Sequence, residues 1–469
     1  MPELIFEKIL KRSKLLQKAS KRRKTEMCRT KIVCLTLLFA LLVTVCCQVG
    51  YSADTVLTLD DLPGVGKSLV VTSDSVLTIN DDESAVIDDA LLQINGTDDA
   101  VTTFRIVNNG VLTIKSTRIG CNHANFTIQN MGTLNFQTTH FTVIGNSTLS
   151  LGNEDSCTMT DTSVDVYGGY ATFTSTGTMT IHNGYFKDQF DGTTMTNHGV
   201  ATLYTTVFVA NGAKGRFDIG NTGDMELHQC TFDVNYGAMV NLNTAGSLLM
   251  NSSNIDVSGS SHGQRSGVNV AVGPVGASAV WESCTLTTNN GVINYQNLRN
   301  SRFTDCQLTA SFDGAINLAT HGPFTFDGSC LGGTGSVNVA NFDSMTLIDS
   351  FYNSSNYFTV YNAGEINAEN WLVKTLHQDA EVFLTNEGNL TFAPSFIEDV
   401  SSSAIISVGP EGQEFVESSG GTITVTNSGS FSGKSSTDSG SDSTLIYILA
   451  IAATAIIVIV VFFIAKKKK

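Results

Sequence analysis

The sequence predicts an all-β protein: a single-stranded solenoid of parallel strands, a parallel β-helix, followed by one C-terminal transmembrane helix. Three observations lead to this prediction. Apolar and polar residues alternate over short stretches, which is the period of a β-strand. A phrase containing Asn-x-Gly recurs along the chain, roughly once in every 22 to 24 residues. A long uncharged segment, Leu445–Ala465, precedes the last four lysines.

The chain has 469 residues, of which 42% are hydrophobic and 15% are charged, so it can bury a large core. Its charge is unevenly distributed. Eleven Lys and Arg but only three acids precede Tyr51, whereas residues 51–465 hold 40 acids against twelve bases, a net charge near −28. Such a surface repels phosphate backbones, which argues against nucleic acid as a partner.

Residues 1–52 are interpreted as a basic leader followed by a secretory signal. Ile32–Cys47 holds sixteen residues without a charge, preceded by basic residues and followed by small ones, which is the order of a signal peptide. We predict cleavage after Ser52. The basic residues just after Met27 make it the favoured true start, with Met1 as the alternative. An uncleaved anchor and a basic amphipathic helix on the membrane surface remain open.

Residues 53–431 are predicted to form the β-helix. Each phrase contains a strand, a short turn, a second strand and a further short strand, and helical periodicity is absent. The constant length favours one coil of three strands over antiparallel hairpins. Each coil should lie about 4.8 Å from the one before it, with like side chains in columns. Asn and Gly tolerate a left-handed backbone, so the triplets predict sharp corners. The glycines of these triplets are Gly110, Gly132, Gly199, Gly223, Gly364 and Gly388.

Beyond the regular coils, three further segments follow from composition. Ser258–Ser278 lengthens one coil to about 31 residues and predicts a side loop. Residues 432–444 form a Ser/Gly-rich stalk. Leu445–Ala465 would cover ~31 Å as a helix, one hydrocarbon thickness. The lysines at 466–469 mark the cytoplasmic side, which puts the β-helix in the lumen or outside. A glycolipid-anchor signal and a dilysine retrieval signal are the alternatives.

The recurrent phrases give residues 54–431 a resemblance to the right-handed parallel β-helix of the pectin-lyase-like superfamily. That resemblance implies right-handed winding. Phe232 to Asn235, a Phe-x-x-Asn match, adds a weaker resemblance to the polymorphic-membrane-protein-like and adhesin-like surface proteins of microbial eukaryotes. This second resemblance implies a rod exposed at the cell surface. The sequence contains no Cys/His spacing typical of zinc, no P-loop and no dinucleotide fingerprint, and we predict no cofactor or metal.

Six cysteines remain once the signal is removed, and an even number in an oxidising lumen predicts disulfides. Cys284, Cys306 and Cys330 recur at steps close to the length of one coil. We therefore expect them to stack on adjacent coils, at a separation that a disulfide accepts. The predicted pair is Cys284 with Cys306, and the alternative is a column of buried thiols without bonds.

Asn-x-Ser/Thr triplets without proline predict N-glycosylation, and any acceptor that lies at a coil corner should be exposed. The six acceptors are Asn95, Asn125, Asn146, Asn251, Asn353 and Asn389.

The pectin-lyase-like superfamily includes polysaccharide lyases and hydrolases, which makes an enzyme the competing interpretation. Glycoside hydrolysis needs two carboxylates facing across a cleft. The acidic motif and the Arg-x-Lys element that accompany the His-Gly of polygalacturonases are missing around the candidate histidines of this sequence. We therefore predict no catalytic residue and interpret the candidates as solvated corner groups. Those candidates are the pairs Asp161 with Asp165 and Asp188 with Asp191, and the histidines His198, His262 and His321.

The predicted function is that of a non-enzymatic, single-pass cell-surface protein used for adhesion, glycan binding or surface coat structure. The alternative function is a membrane-tethered carbohydrate-active enzyme, either a polysaccharide lyase or a glycoside hydrolase. The alternative address is the endoplasmic reticulum or another internal membrane, reached if the terminal lysines act as a retrieval signal.

Overall fold

The computed structural model describes residues 55–98, 100–190, 192–259, 265–273, 276–354, 357–369, 372–375, 381–392, 413–416, 422–427 and 430–433. Within them the chain forms 46 β-strands and one short 3₁₀ helix, Leu59–Asp61. The strands belong to three sheets, and each coil adds one strand to each sheet. The protein is therefore an all-β parallel β-helix of about 13 turns, which confirms the β-helix part of the predicted fold class.

The path of each coil runs through the first, second and third sheets in turn. The first sheet contains β1 (Thr55–Leu57), β3 (Ser75–Ile79), β6 (Thr102–Asn108), β9 (Ala124–Asn130), β12 (Ser147–Asn153), β15 (Gly169–Ser175), β18 (Thr193–Asn197), β21 (Arg216–Asn221), β24 (Met239–Thr244), β27 (Gly267–Val272), β30 (Val292–Asn297), β33 (Ala315–Thr320), β36 (Ser336–Asn341), β39 (Tyr357–Asn362), β42 (Glu381–Asn386), β44 (Gln413–Val416) and β45 (Thr422–Asn427).

The second sheet contains β4 (Ser84–Asp88), β7 (Val111–Lys115), β10 (Thr133–Gln137), β13 (Ser156–Thr160), β16 (Thr178–His182), β19 (Val200–Tyr204), β22 (Asp224–His228), β25 (Ser247–Asn251), β28 (Ser278–Glu282), β31 (Asn300–Thr304), β34 (Phe324–Asp327), β37 (Ser344–Ile348), β40 (Glu365–Glu369), β43 (Asn389–Phe392) and β46 (Ser430–Gly433). The third sheet contains β2 (Ser68–Val71), β5 (Leu91–Asn95), β8 (Arg118–Asn122), β11 (His140–Ile144), β14 (Ser163–Val166), β17 (Tyr185–Asp188), β20 (Val207–Asn211), β23 (Thr231–Asn235), β26 (Asn254–Ser258), β29 (Thr285–Asn289), β32 (Gln307–Ser311), β35 (Cys330–Gly333), β38 (Phe351–Ser354) and β41 (Leu372–Thr375).

Strand pairing is parallel throughout these sheets except at one edge, where β44 pairs antiparallel with β45. The register keeps equivalent residues in columns, as in Phe104 opposite Phe126. It also confirms the lengthened coil, because Asp256 pairs with Thr287, 31 residues later. We name the turns by their place in the coil: corner 1 joins the first to the second sheet, corner 2 the second to the third, and corner 3 the third to the first.

The core lies inside the coil and is filled by alternate residues of all three sheets. In β9 the residues alternate between buried and half-buried along the whole strand, as a pleated strand requires. Aromatic rings in neighbouring coils stack, with ring centroids 5.5 Å apart for Phe104 and Phe126 and 4.8 Å apart for Phe208 and Phe232. The inward face thus forms one continuous hydrophobic column along the axis.

Corner 1 is formed by the Asn-x-Gly triplets, as predicted, but the expected left-handed backbone is wrong. Neither the asparagines nor the glycines of these triplets have a positive φ. Glycine is needed because the coils approach closely at this corner. A Cβ on Gly132 would lie 2.2 Å from the carbonyl oxygen of Gly110, and one on Gly223 would lie 2.0 Å from that of Gly199.

The asparagines of corner 1 point inward and form a buried ladder. Asn108 Nδ2 donates to Asn130 Oδ1 at 2.6 Å, Asn130 donates to Asn153 at 2.7 Å, and Asn362 donates to Asn386 at 2.6 Å. All five side chains are essentially inaccessible to water. Asparagine is therefore present because its amide satisfies polar groups inside the corner, not because it relaxes the backbone.

The predicted membrane-targeting segments lie outside the part of the chain that the structure describes. Within the residues that the structure describes, no helix is long and apolar enough to cross a bilayer. The signal segment Ile32–Cys47, the predicted span Leu445–Ala465, and the candidates Asp191 and His262 all lie outside the described residues.

Candidate binding face

The outer side of the first sheet carries a ladder of asparagine amides, one per coil on consecutive coils. Asn269 Nδ2 donates to Asn241 Oδ1 at 2.8 Å, and Asn294 donates to Asn269 at 2.9 Å. Asn317 donates to Asn294 at 2.8 Å, and Asn338 donates to Asn317 at 2.9 Å. All four bonds point the same way along the axis, so the amides form one polarised row.

The ladder ends at a carboxylate. Asn241 Nδ2 donates to Asp218 Oδ1 at 2.7 Å, and Asp218 Oδ2 is paired with Arg216 Nε at 2.7 Å. A carboxylate can only accept hydrogen bonds, so it closes the row at the end toward which every amide donates. Because Arg216 neutralises Asp218, the ladder carries no net charge.

Half of the hydrogen-bonding capacity of each ladder amide remains unused. An asparagine amide has two N–H donors and two oxygen lone pairs, and the ladder occupies one of each in Asn269, Asn294 and Asn317. The neighbouring outward column on one side consists largely of small residues, among them Ala271 and Ala319. A ligand can therefore approach the free donors and acceptors of Asn269 and Asn317 past small side chains, whereas Gln296 flanks Asn294.

Corner 3 borders this ladder and concentrates the exposed aromatic residues. Among the described residues ten Phe and Tyr side chains are exposed, and six of them lie in corner 3 or at the first residues of the strand that follows it. Such a concentration on one of three corners is typical of an interaction surface. The six are Tyr167, Tyr170, Phe190, Tyr236, Phe312 and Tyr357.

Tyr236 and Phe312 occupy corner positions at which the fold does not require an aromatic residue. Both have a left-handed backbone, with φ of 56° and 55°, and they are 63% and 68% exposed. The same corner in other coils begins with Gly212 or Asn290, which adopt that conformation at lower cost. A bulky residue held there at a cost to stability points to a function outside folding.

The candidate catalytic groups are not assembled at one point. Asp161 lies at corner 2, where it accepts a hydrogen bond from Asn183 Nδ2 at 3.0 Å. Asp165 lies on the third sheet, 3.7 Å from His140. His198 pairs with the Thr222 hydroxyl, and His321 stacks on Phe342 at 4.5 Å. The described members of the set are thus distributed over several corners and faces.

Asp188 is fully buried in corner 3 and organises the turn that carries Phe190. Its carboxylate accepts hydrogen bonds from the Phe190 N–H at 3.1 Å and the Thr193 hydroxyl at 2.9 Å. Burial raises the pKa of Asp188 to about 6, although these hydrogen bonds oppose the rise. This carboxylate is a structural cap rather than an exposed acid.

The raised pKa of Asp188 predicts a pH-dependent loss of stability. The folded state binds the proton more tightly than the unfolded state. The stabilisation of the fold by the protonated Asp188 carboxyl is therefore complete below the usual pKa of an aspartate and is lost as pH rises through about 6. We expect wild type to lose on the order of 2 kcal/mol relative to Asp188→Asn between pH 4 and pH 7.5. Urea unfolding at both pH values measures this difference. A constant difference would contradict it, and Asp161→Asn, at an exposed carboxylate, is the matched control.

A Ser-His-Asp grouping on the third sheet is visible only in the structure, because its members come from adjacent coils. His140 Nδ1 contacts the Ser163 hydroxyl, and His140 Nε2 lies 3.7 Å from Asp165. Nucleophilic chemistry also needs free N–H donors for the oxyanion. Here the N–H groups of His140 and Ser163 donate to carbonyls of the preceding coil, at 2.9 Å each. These two N–H groups are therefore not available to an oxyanion.

The six described cysteines are free thiols. Cys284 and Cys306 stack at corner 2, where the Cys284 thiol donates to the carbonyl of Met250 at 3.4 Å and the Cys306 thiol to that of Trp281 at 3.4 Å. The expectation that Cys330 continues this column is wrong by one residue. Cys330 pairs with Gln307, and Ser329 takes the column position, accepting a hydrogen bond from the Cys306 N–H at 3.0 Å. The Cys284–Cys306 disulfide stays a prediction.

The predicted glycan acceptors occupy several kinds of position. Asn146 and Asn389 are exposed, and Asn146 lies in corner 3. Asn125 lies on β9 and Asn353 on β38, away from the corners. The half-buried acceptors Asn95 and Asn251 end their strands.

No protein-family model matches this chain, and no curated protein is detectably similar to it. Its function is therefore inferred from the residues of the chain itself.

Proposed function

We propose that this is a non-enzymatic cell-surface protein that binds glycans through the first sheet and corner 3. The binding face consists of the outer side of the first sheet from β21 to β39 together with the six exposed aromatics of corner 3. The observation that carries the proposal is the pair Tyr236 and Phe312, two exposed rings held in left-handed conformations. Strain of this kind is retained where it serves binding.

The two kinds of group on this face suit the two kinds of surface on a sugar. Aromatic rings pack against the apolar C–H faces of sugar rings, while the hydroxyl groups at the edges of the sugar rings stay hydrated. Amides donate to and accept from hydroxyl groups, and the ladder from Asn241 to Asn338 offers both roles at every coil. Together they supply stacking and directional hydrogen bonding side by side.

The rest of the chain supports an outward-facing, anchored rod. The signal segment, the stalk and the span Leu445–Ala465 with its terminal lysines favour a single-pass protein with the β-helix outside. Right-handed winding belongs to the same proposal, since strand–crossover–strand units are nearly always right-handed. So does kinship with the pectin-lyase-like superfamily. Retention in an internal membrane is the alternative address.

The predicted glycan acceptors leave the outer side of the first sheet clear from β21 to β39, whereas Asn146 lies in corner 3 on the coil directly before Tyr167 and Tyr170. Asn125 and Asn146 lie on coils before Tyr170, Asn251 lies on the second sheet, and Asn353 lies on the third. If these acceptors are occupied, their glycans leave the outer side of the first sheet free between β21 and β39. A surface used for binding has to remain accessible in this way.

A stability-against-binding comparison tests the proposal. In the full chain in detergent, we expect the double variant Tyr236→Asn, Phe312→Asn to bind glycans on an array at least tenfold more weakly. Its free energy of unfolding should stay unchanged or rise by about 0.5–1 kcal/mol, because asparagine relieves the left-handed strain. Tyr204→Ser, at an exposed ring on the second sheet, is the matched control and should bind normally.

Two outcomes would count against this function. Undiminished binding by the double variant would remove the role of corner 3. Release of shortened products from a bound polysaccharide by wild type would favour the carbohydrate-active enzyme instead. The degradation assay is therefore run on the same glycans as the array.

A further inference from the structure

The chemistry of the binding face defines which glycans it can take. We infer that its ligand is an uncharged, extended polysaccharide that lies along the rod axis and contacts the amide ladder once per coil. This inference rests on the proposed function and adds the ligand class and its orientation. Charge and periodicity support it independently.

The outer side of the first sheet offers an ionic ligand no free counter-charge. On the outer side of the first sheet from β21 to β39, the only charged side chains in the described residues are Arg216 and Asp218, which pair at 2.7 Å. An anionic chain would find no free counter-charge there and would approach a segment with a net charge near −28. A cationic chain would be drawn instead to the acids elsewhere on the rod. An uncharged, hydroxyl-rich chain matches the neutral amides.

The periodicity of the face sets the direction of the ligand. Ladder amides repeat once per coil, so those from Asn241 to Asn338 span about 19 Å along the axis at the parallel-strand spacing. Tyr236 and Phe312 lie three coils apart, about 14 Å, on the same side of the ladder. A chain running across the sheet would meet a single amide flanked by residues such as Ala319. A chain running along the axis meets every amide and both rings.

Chain length and charge are the variables that test this inference. With the full chain in detergent, we expect the Kd of linear uncharged β-linked oligosaccharides to fall at least tenfold between the disaccharide and the pentasaccharide or hexasaccharide, and then to level off. Uronate-containing, sulfated and amine-bearing chains of equal length should bind at least tenfold more weakly. Added salt should leave the affinity for uncharged chains unchanged, because no ion pair is formed.

Two variants locate the contact. Asn294→Ala removes the middle amide of the ladder and should weaken binding of the hexasaccharide about fivefold or more. Asn135→Ala, at an outward-facing asparagine of β10 on the second sheet, is the matched control and should have no effect. Ala319→Arg leaves the ladder amides in place but covers them, so it should weaken binding even if Asn294→Ala proves poorly folded.

The outcomes separate this inference from the function on which it rests. Tighter binding of a charged glycan through corner 3, or an affinity independent of chain length, would overturn the inference and leave glycan binding standing. Normal hexasaccharide binding by Ala319→Arg would also overturn it. Failure to bind any glycan, charged or uncharged, would overturn both.

Discussion

Gly223→Ala is expected to lower the free energy of unfolding by at least about 3 kcal/mol, whereas Gly220→Ala should change it by less than about 1 kcal/mol. A Cβ on Gly223 would lie 2.0 Å from the carbonyl oxygen of Gly199. That oxygen belongs to the backbone of the neighbouring coil and already accepts a hydrogen bond from the Asp224 N–H at 2.9 Å. It cannot move aside without breaking the stacking of the coils.

Gly220 is the matched control because it lies in β21, just before the same corner, yet faces outward. Its Cβ would come no closer than 3.9 Å to a side-chain atom of Thr196. Alanine there also restricts the unfolded chain, which offsets any small cost. Chemical denaturation of the two variants followed by circular dichroism measures the difference. Equal midpoints would show that coil spacing at corner 1 is not limited by the glycine.

The same glycines illustrate what the sequence reveals about the fold. Their regular spacing identifies the coil length and the parallel stacking, because equivalent residues recur once per coil. The physical reason for a glycine at these positions is not readable from the sequence. A glycine required by a positive φ and a glycine required by a close backbone approach look identical in a triplet such as Asn221 to Gly223. Only the distance between neighbouring coils separates the two.

Shifts of a single residue between coils limit how well the sequence predicts which side chains share a column. The coil that begins at Cys306 repeats after 23 residues, which places Ser329 in the column and leaves Cys330 one position too late. In a strand one residue reverses the direction of the side chain. The spacing of Cys284 and Cys306 matches their coil, so these two are placed correctly in one column.

The binding face could not be predicted from the sequence, for related reasons. The ladder asparagines recur after 28, 25, 23 and 21 residues, because corners 1 and 3 both vary in length from coil to coil. The irregular steps hide the column from any fixed period. Tyr236 and Phe312 lack a sequence signal of their own, since what distinguishes them is a left-handed φ at an exposed aromatic. Exposure and backbone conformation together identify them.

Asn130→Leu is the buried polar substitution with the largest expected cost, about 3–4 kcal/mol. The Asn130 amide donates to the carbonyls of Gly132 and Ser156 at 2.8 Å each and to Asn153 at 2.7 Å. It also accepts from Asn108 at 2.6 Å. Leucine shares the branched shape of asparagine but has no hydrogen-bonding group, so it leaves these groups buried and unpaired.

Two further variants make the measurement specific to the ladder. Asn135→Leu, on the outer side of β10, adds the same side chain to the solvent face and should cost less than about 0.5 kcal/mol. Asn130→Thr should lose only part of the stability, because Thr320 occupies the same column and donates to Asn341 at 2.8 Å. Denaturant unfolding ranks the three variants. If Asn130→Leu unfolds like wild type, the buried amides do not hold corner 1, and the close approach of the glycines sets the coil spacing by itself.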